Sequence, residues 1–216
     1  MNYNGRMILT LFVIMSYLVM WIVDNHPLNF IHLISLIFFC EIGWWLGKQY
    51  DRKKDDSEKD ELTNIYNRRF VMRVAPKLLL LAKRKNKKLG ISIVDVDNFK
   101  SINDNYGHQI GDSVLRDIST ALVKVMREND IVARWGGDEI LIISLLMKTK
   151  FPEPILQRIE RKLNEVSQQN NVNVTVSIGT AVFPDDGMSF DELIKEADRN
   201  MYIFKSTKKN NYAKIN

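Results

Sequence analysis

Residues 131–144 read IVARWGGDEILIIS. Two short runs rich in β-branched residues, Ile131 to Trp135 and Glu139 to Ser144, flank Gly136-Gly137-Asp138, so the spacing predicts a β-hairpin with an acidic tip. Upstream, the apolar run from Leu89 to Asp95 predicts a strand that ends on Asp95 and Asp97. A further stretch, NDNYGHQIGD, supplies Asp104 and Asp112. Carboxylates on strand ends and hairpin tips can converge on a hard cation, and Mg²⁺ needs only one or two of them beside water and phosphate. Taken singly, each of these acids is equally an ordinary solvated turn residue.

Around these runs the pattern is that of an α/β domain. Residues Arg69 to Lys85 predict an amphipathic helix with Val71, Val74, Leu78 and Leu81 near one face. Gly111 to Met126 predicts another, with Val114, Leu115, Ile118, Leu122 and Val125 forming one buried stripe. A helix over Pro154 to Gln168, a strand over Val172 to Phe183 and a helix over Phe190 to Phe204 complete the set.

The first 59 residues differ in character. Met7 to Val23 carries no charge, Asp24-Asn25-His26-Pro27 breaks the run, and a second apolar run spans Leu28 to Gly47. A bilayer core of about 30 Å takes about 20 helical residues. The reading is a transmembrane helical hairpin over residues 1–47, with spans at 7–23 and 28–47. No small-x-small cleavage site follows the first span, which argues against a signal peptide. Glu41, the one charge in the second run, lies beside Trp44 and Trp45 near its end. Arg6 precedes the first span and Lys48, Arg52, Lys53 and Lys54 follow the second, whereas the loop between has no basic residue. The positive-inside rule then places a multi-pass protein in the inner membrane, among lipid, with both termini cytoplasmic. Residues 48–59, KQYDRKKDDSEK, predict a charged helical stalk, and 60–216 the α/β domain.

Lys and Arg number 31 against 26 Asp and Glu, but the basic residues are scattered, so direct nucleic-acid binding is not expected. Cys40 is the single cysteine, and nothing asks for an oxidising compartment.

Five segments together resemble a known family. DELTNIYNRR (Asp60 to Arg69), DVDNFKSINDNYGHQIGD (Asp95 to Asp112), RWGGDEI (Arg134 to Ile140), VTVSIGTAVFP (Val174 to Pro184) and ADRNMYIFK (Ala197 to Lys205) are similar to the ordered motifs of the GGDEF diguanylate cyclases. The resemblance implies an α+β fold like the palm of nucleotidyl cyclases and polymerases, with a mainly antiparallel central sheet flanked by helices. It implies an enzyme that condenses two GTP into cyclic di-GMP, working as a homodimer because each domain holds one GTP. It also implies roles. Asp95, Asp138 and the carbonyl of Val96 would bind Mg²⁺, and Glu139 would assist the attacking 3′-hydroxyl. Asn103 and Asp112 would read guanine, while Phe99 and Lys100 lie in a turn whose amides approach the phosphates. Lys205 and Lys209 stand where the family places cationic phosphate contacts. Arg127-Glu128-Asn129-Asp130 resembles the family's RxxD product-inhibition site, with five residues between Asp130 and Gly136.

Other residues in these motifs take plainer readings. Asp97 caps or hydrogen-bonds the following turn, Trp135 packs, and Gly136 and Gly137 serve backbone conformation and close nucleotide approach. Two positions depart from the pattern. Ile140 stands where the family usually has Phe, and Lys208-Lys209-Asn210 where it has GRN. They leave open a second function, a catalytically silent receptor that binds cyclic di-GMP through Arg127 and Asp130, and a third, a scaffold that binds GTP without turnover.

Overall fold

The computed structural model describes residues 4–24, 30–56, 58–145 and 153–213. They form two compact units, Met1–Ser57 and Glu58–Asn216.

The first unit is an antiparallel pair of helices, α1 (Asn4–Asp24) and α2 (Phe30–Asp56). Tyr17 Oη lies 3.3 Å from Ser35 Oγ. Nearer the other end, a Cβ added to Gly43 would sit 3.3 Å from Val13 Cγ2 and 3.5 Å from the carbonyl of Leu9, so the missing side chain lets the two backbones approach. The expected membrane-spanning hairpin is not upheld: among the described residues no helix is long and apolar enough to cross a membrane. With it falls the inner-membrane placement. The described part of α2 carries Glu41 within its apolar run and Lys48 directly after it. The break at residues 25–27 and the stalk side chains 50–57 lie outside the described residues.

The second unit is a three-layer α/β arrangement. Its elements are β1 (Tyr66–Asn67), α3 (Arg68–Arg84), β2 (Leu89–Val96), α4 (Phe99–Tyr106), α5 (His108–Val125), β3 (Ile131–Arg134), β4 (Glu139–Leu145), α6 (Glu153–Asn170), β5 (Val176–Phe183) and α7 (Phe190–Ala213). The strands form one sheet in the order β1-β3-β4-β2-β5. Only the short β1–β3 pairing is parallel.

Strand alternation divides the core into two layers. Val94, Val96, Ile140 and Ile142 turn to one face, against Val114, Leu115, Ile118 and Leu122 of α5 and Ile159 and Leu163 of α6. Ile91, Ile93, Leu141 and Ile143 turn to the other, against Val71, Ala75 and Leu79 of α3 and Leu193, Ala197 and Met201 of α7. The buried stripe of α5 is the expected one. That of α3 is Val71, Ala75, Leu79 and Ala82, and Leu81 is 41% exposed. At 100° per residue, positions four, eight and eleven beyond Val71 share its face, so scoring only large side chains rotates the stripe and overlooks the two alanines.

β5 is an edge strand of the described sheet, and several of its outward groups are bonded by α7 and by the turn that follows the strand. Asn200 Nδ2 donates to the carbonyl of Thr180 at 3.0 Å. Val182 N–H donates to Asp186 Oδ2 at 2.8 Å, and Asp186 N–H returns to the carbonyl of Val182 at 2.8 Å. In the middle of α5, the fully buried Ser119 Oγ lacks a hydrogen-bond partner among the described residues. Ser119→Ala removes an unpaired hydroxyl and improves helix propensity, and should stabilise the chain by about 1 kcal/mol in urea unfolding. A loss of stability would show that the hydroxyl is satisfied.

Candidate active site

The acidic cluster is built by strand register. Asp95, near the end of β2, pairs with Glu139 of β4 on one side and with Ser177 of β5 on the other. Val96 N–H donates to the carbonyl of Asp138 at 3.2 Å, tying the hairpin tip to the end of β2. Asp95 and Glu139 fall on the α3/α7 face of the sheet, opposite Val94, Val96 and Ile140. Ile140 is 1% exposed and packs in the α5/α6 layer, so the residue that departs from the motif supports the hairpin from behind.

From α7 the ammonium of Lys205 reaches Asp95 Oδ1 in a short ion pair. One cation does not balance the site. Burial pushes the carboxyl of Glu139 up, and the charges of Asp95, Asp138 and Asp198 push it further. The Asp95 carboxyl is likewise raised, first by burial, with Asp138 and Asp97 adding to it, even against Lys205. The ammonium of Lys205 loses some hydration, but Asp95, Asp97 and Asp138 more than compensate and hold it above the ordinary lysine value. An acidic site short of positive charge suits a divalent cation. Among the described residues no three or more His, Cys, Asp or Glu side chains close on one metal position. That is compatible with Mg²⁺, which leaves most of its shell to water and phosphate.

The hairpin is held from below. Arg134 Nε and Nη2 donate to the carbonyl of Gly137 at 3.2 and 2.8 Å, and Nη1 donates to Asp60 Oδ1 at 3.1 Å. Asp60 also accepts from Thr63 N–H and Oγ1, and these bonds with Arg134 take its pKa below the ordinary value although burial opposes them. Trp135 packs edge-on against Phe190 beneath the guanidinium of Arg68. Neither Gly136 nor Gly137 has a positive φ, so the conformational reading of these glycines is corrected. At Gly136 an added Cβ would lie 2.5 Å from Glu139 Oε2, so the Glu139 carboxylate would have to move aside.

The other expected site residues fall into three places. Phe99 and Lys100 open α4, a helix and not the expected turn, entered through Asn98 at φ +54°. Phe99 is half-buried and Lys100 exposed. Phe99 and Asn103 pack where α4 meets α5 at Gly111, whose missing Cβ leaves room for the Asn103 side chain; half-buried Asp112 follows directly. Arg127 and Asp130 form a separate turn in which Asp130 Oδ2 accepts from Arg127 N–H at 3.0 Å. The side chain of Lys209 lies outside the described residues.

The match to known proteins follows this geometry. Residues 57–211 match the family described as "Diguanylate cyclase, GGDEF domain". This chain belongs to the GGDEF family. It is 35% identical over 158 residues to Diguanylate cyclase DosC of Escherichia coli K12, covering 70% of this chain and 34% of that protein. It is 32% identical over 204 residues to Cyclic di-GMP phosphodiesterase NbdA of Pseudomonas aeruginosa, covering 83% and 26%. Among solved structures, the GGDEF domain of YfiN (TpbB) from Pseudomonas aeruginosa superposes with a TM-score of 0.63 at 31% identity, covering 69% of this chain and 89% of that one. The GGDEF domain of DgcB from Caulobacter crescentus, in complex with cyclic di-GMP, gives 0.59 at 26% identity, covering 70% and 92%. The chain therefore spans about a third or less of the length of these curated relatives, which include both a cyclase and a phosphodiesterase.

Within this GGDEF domain, sequence reading missed the second ion pair. Asp97 does not cap the turn after it. Its Oδ1 accepts from Ser177 Oγ at 2.6 Å, and its Oδ2 from Thr175 Oγ1 at 2.7 Å and Lys208 Nζ at 2.6 Å. The alternation of Asp95 and Asp97 on one strand face, matched by Lys205 and Lys208 one helical turn apart, was the available signal.

Proposed function

We propose that this GGDEF domain is a diguanylate cyclase that joins two GTP into cyclic di-GMP with release of pyrophosphate. The observation that carries the reading is the convergence of Asp95, Asp138 and Glu139 at one sheet end under a single ammonium. Asp95, Asp138 and the carbonyl of Val96 would hold Mg²⁺, which when bound neutralises charge on the triphosphate. Glu139, made more basic by its neighbours, takes the proton of the 3′-hydroxyl. The freed 3′-oxygen forms a bond to the α-phosphorus of the other GTP as the bond to the β-phosphate bridging oxygen breaks, in line, and pyrophosphate leaves. A second such step closes the ring. Lys205, kept charged, and Lys209 balance the phosphates, while the Asp112 carboxylate accepts from guanine N1–H and the N2 amino group and Asn103 reads the same base, beside Phe99 and Lys100. Each domain carries one GTP, so two domains must face each other as a homodimer. The test is to incubate the purified chain with GTP and Mg²⁺ and resolve products chromatographically. Cyclic di-GMP with two pyrophosphates per molecule is expected; unreacted GTP beside a folded chain would overturn the reading.

Product feedback belongs to the same proposal. The carboxylate of Asp130 already shapes the Arg127 turn, leaving the guanidinium as the group suited to fork onto a phosphate or guanine edge. Arg127→Ala should weaken cyclic di-GMP binding by about 1.5 kcal/mol in calorimetry and raise the product level at which the reaction stalls. Unchanged affinity would reduce RxxD here to a turn.

A further inference from the structure

The buried apolar contacts of α7 with the sheet end at Met201. Beyond it Tyr202, Ile203 and Phe204 are 71%, 51% and 51% exposed, and a cavity of about 700 Å³ opens beneath, bordered by Phe204, Thr207 and Lys208. What holds this end of the helix to the sheet is a ladder of two ion pairs, Lys205 to Asp95 and Lys208 to Asp97. The two rungs are unlike. Asp95 belongs to the acidic site, so a cation and a triphosphate arriving there compete for both partners of the first rung. Asp97 is committed elsewhere: its backbone N–H donates to the carbonyl of Thr175 at 2.9 Å, its carboxylate takes Thr175 and Ser177 hydroxyls, and its side chain is only 10% exposed. Lys208 Nζ also approaches the carbonyl of Val176 at 3.4 Å.

Resting on the functional reading above, we propose that Lys208 is a positioning residue: its ion pair with Asp97 keeps the end of α7 docked while Lys205 exchanges Asp95 for nucleotide phosphate. The GRN pattern that this stretch resembles has a glycine at the position of Lys208, and a glycine offers no such anchor. Without the second rung, the helix end is free to leave the sheet as soon as Lys205 lets go, and Lys205 must be brought back at an entropic cost whenever a triphosphate binds. The consequence falls on nucleotide affinity and not on the chemical step.

The experiment uses the full chain with Lys208→Met, Lys208→Arg, Asp97→Asn and the double variant Lys208→Met/Asp97→Asn. Initial rates give KM and kcat for GTP with Mg²⁺. Calorimetry measures binding of 3′-deoxy-GTP, which lacks the attacking hydroxyl and cannot turn over. Lys208→Met should raise KM and the Kd for 3′-deoxy-GTP roughly tenfold, the scale of one charge-assisted hydrogen bond, with kcat within about twofold. Lys208→Arg should restore both, Asp97→Asn should match Lys208→Met, and the double variant should be no worse than either single one. Unchanged KM and Kd in Lys208→Met overturn the proposal. So do additive losses in the double variant, which would mean that Lys208 meets the nucleotide itself, or a fall in kcat that Arg does not rescue. A wild-type chain that binds no 3′-deoxy-GTP and makes no product overturns the cyclase reading first.

Discussion

Glu139→Gln is expected to lower cyclic di-GMP synthesis roughly 10³-fold while making the nucleotide-free protein more resistant to heat. The two effects share one cause. Burial and the charges of Asp95, Asp138 and Asp198 raise the Glu139 carboxyl above its ordinary value of 4.5. A raised folded-state pKa means that folding favours the protonated form, so its contribution to stability is fully present at low pH and is lost as pH rises through the folded value. At pH 7 the ionised Glu139 therefore works against the fold, and glutamine, which cannot ionise, escapes that cost. Thermal melts of the two proteins should differ at pH 7 and converge near pH 4. The lost activity then cannot be blamed on unfolding. A variant that keeps wild-type turnover would remove Glu139 from the chemistry, and one that melts earlier at pH 7 would show that its charge is compensated.

Gly179→Ala should produce the largest loss of stability, about 3 kcal/mol in urea unfolding, at the upper end of overpacking costs. Its added Cβ would overlap the carbonyl oxygen of Ala197 and the amide nitrogen of Met201, both backbone atoms of α7 that no rotamer change can move. Relief requires lifting α7 from β5, which also withdraws Lys205 from Asp95. Gly137→Ala is the control. An added Cβ there meets nothing within 4 Å, and a change within about 0.5 kcal/mol is expected. Equal stability of Gly179→Ala and wild type would mean that the helix and strand are less closely seated than the contacts require.

Much of this protein was legible in its sequence because the decisive patterns are local. Runs of β-branched residues marked β2 and β4, and the five apolar positions read for α5 are all buried, with Ser119 and Ala121 buried beside them. The site was less so. Carboxylates declare themselves at strand ends, but their partners depend on how a helix more than 100 positions later docks, as with Lys205 on Asp95 and Lys208 on Asp97. Phe99 was assigned to a turn because α4 is one short helix entered through a left-handed Asn98, too brief for periodicity to show. The membrane-spanning hairpin was inferred from counting uncharged residues, and failed on the apolar length of the described helices.

The fringe of β5 has one more consequence. An exposed strand border is a template on which a second chain can lay itself and begin a fibril. Here Asn200 and Asp186 cover its outward carbonyls at Thr180 and Val182, and Lys208 sets a charge beside Val176. The same bonds that fasten a helix and a turn to β5 thus leave fewer open positions along that border for a second chain to pair with.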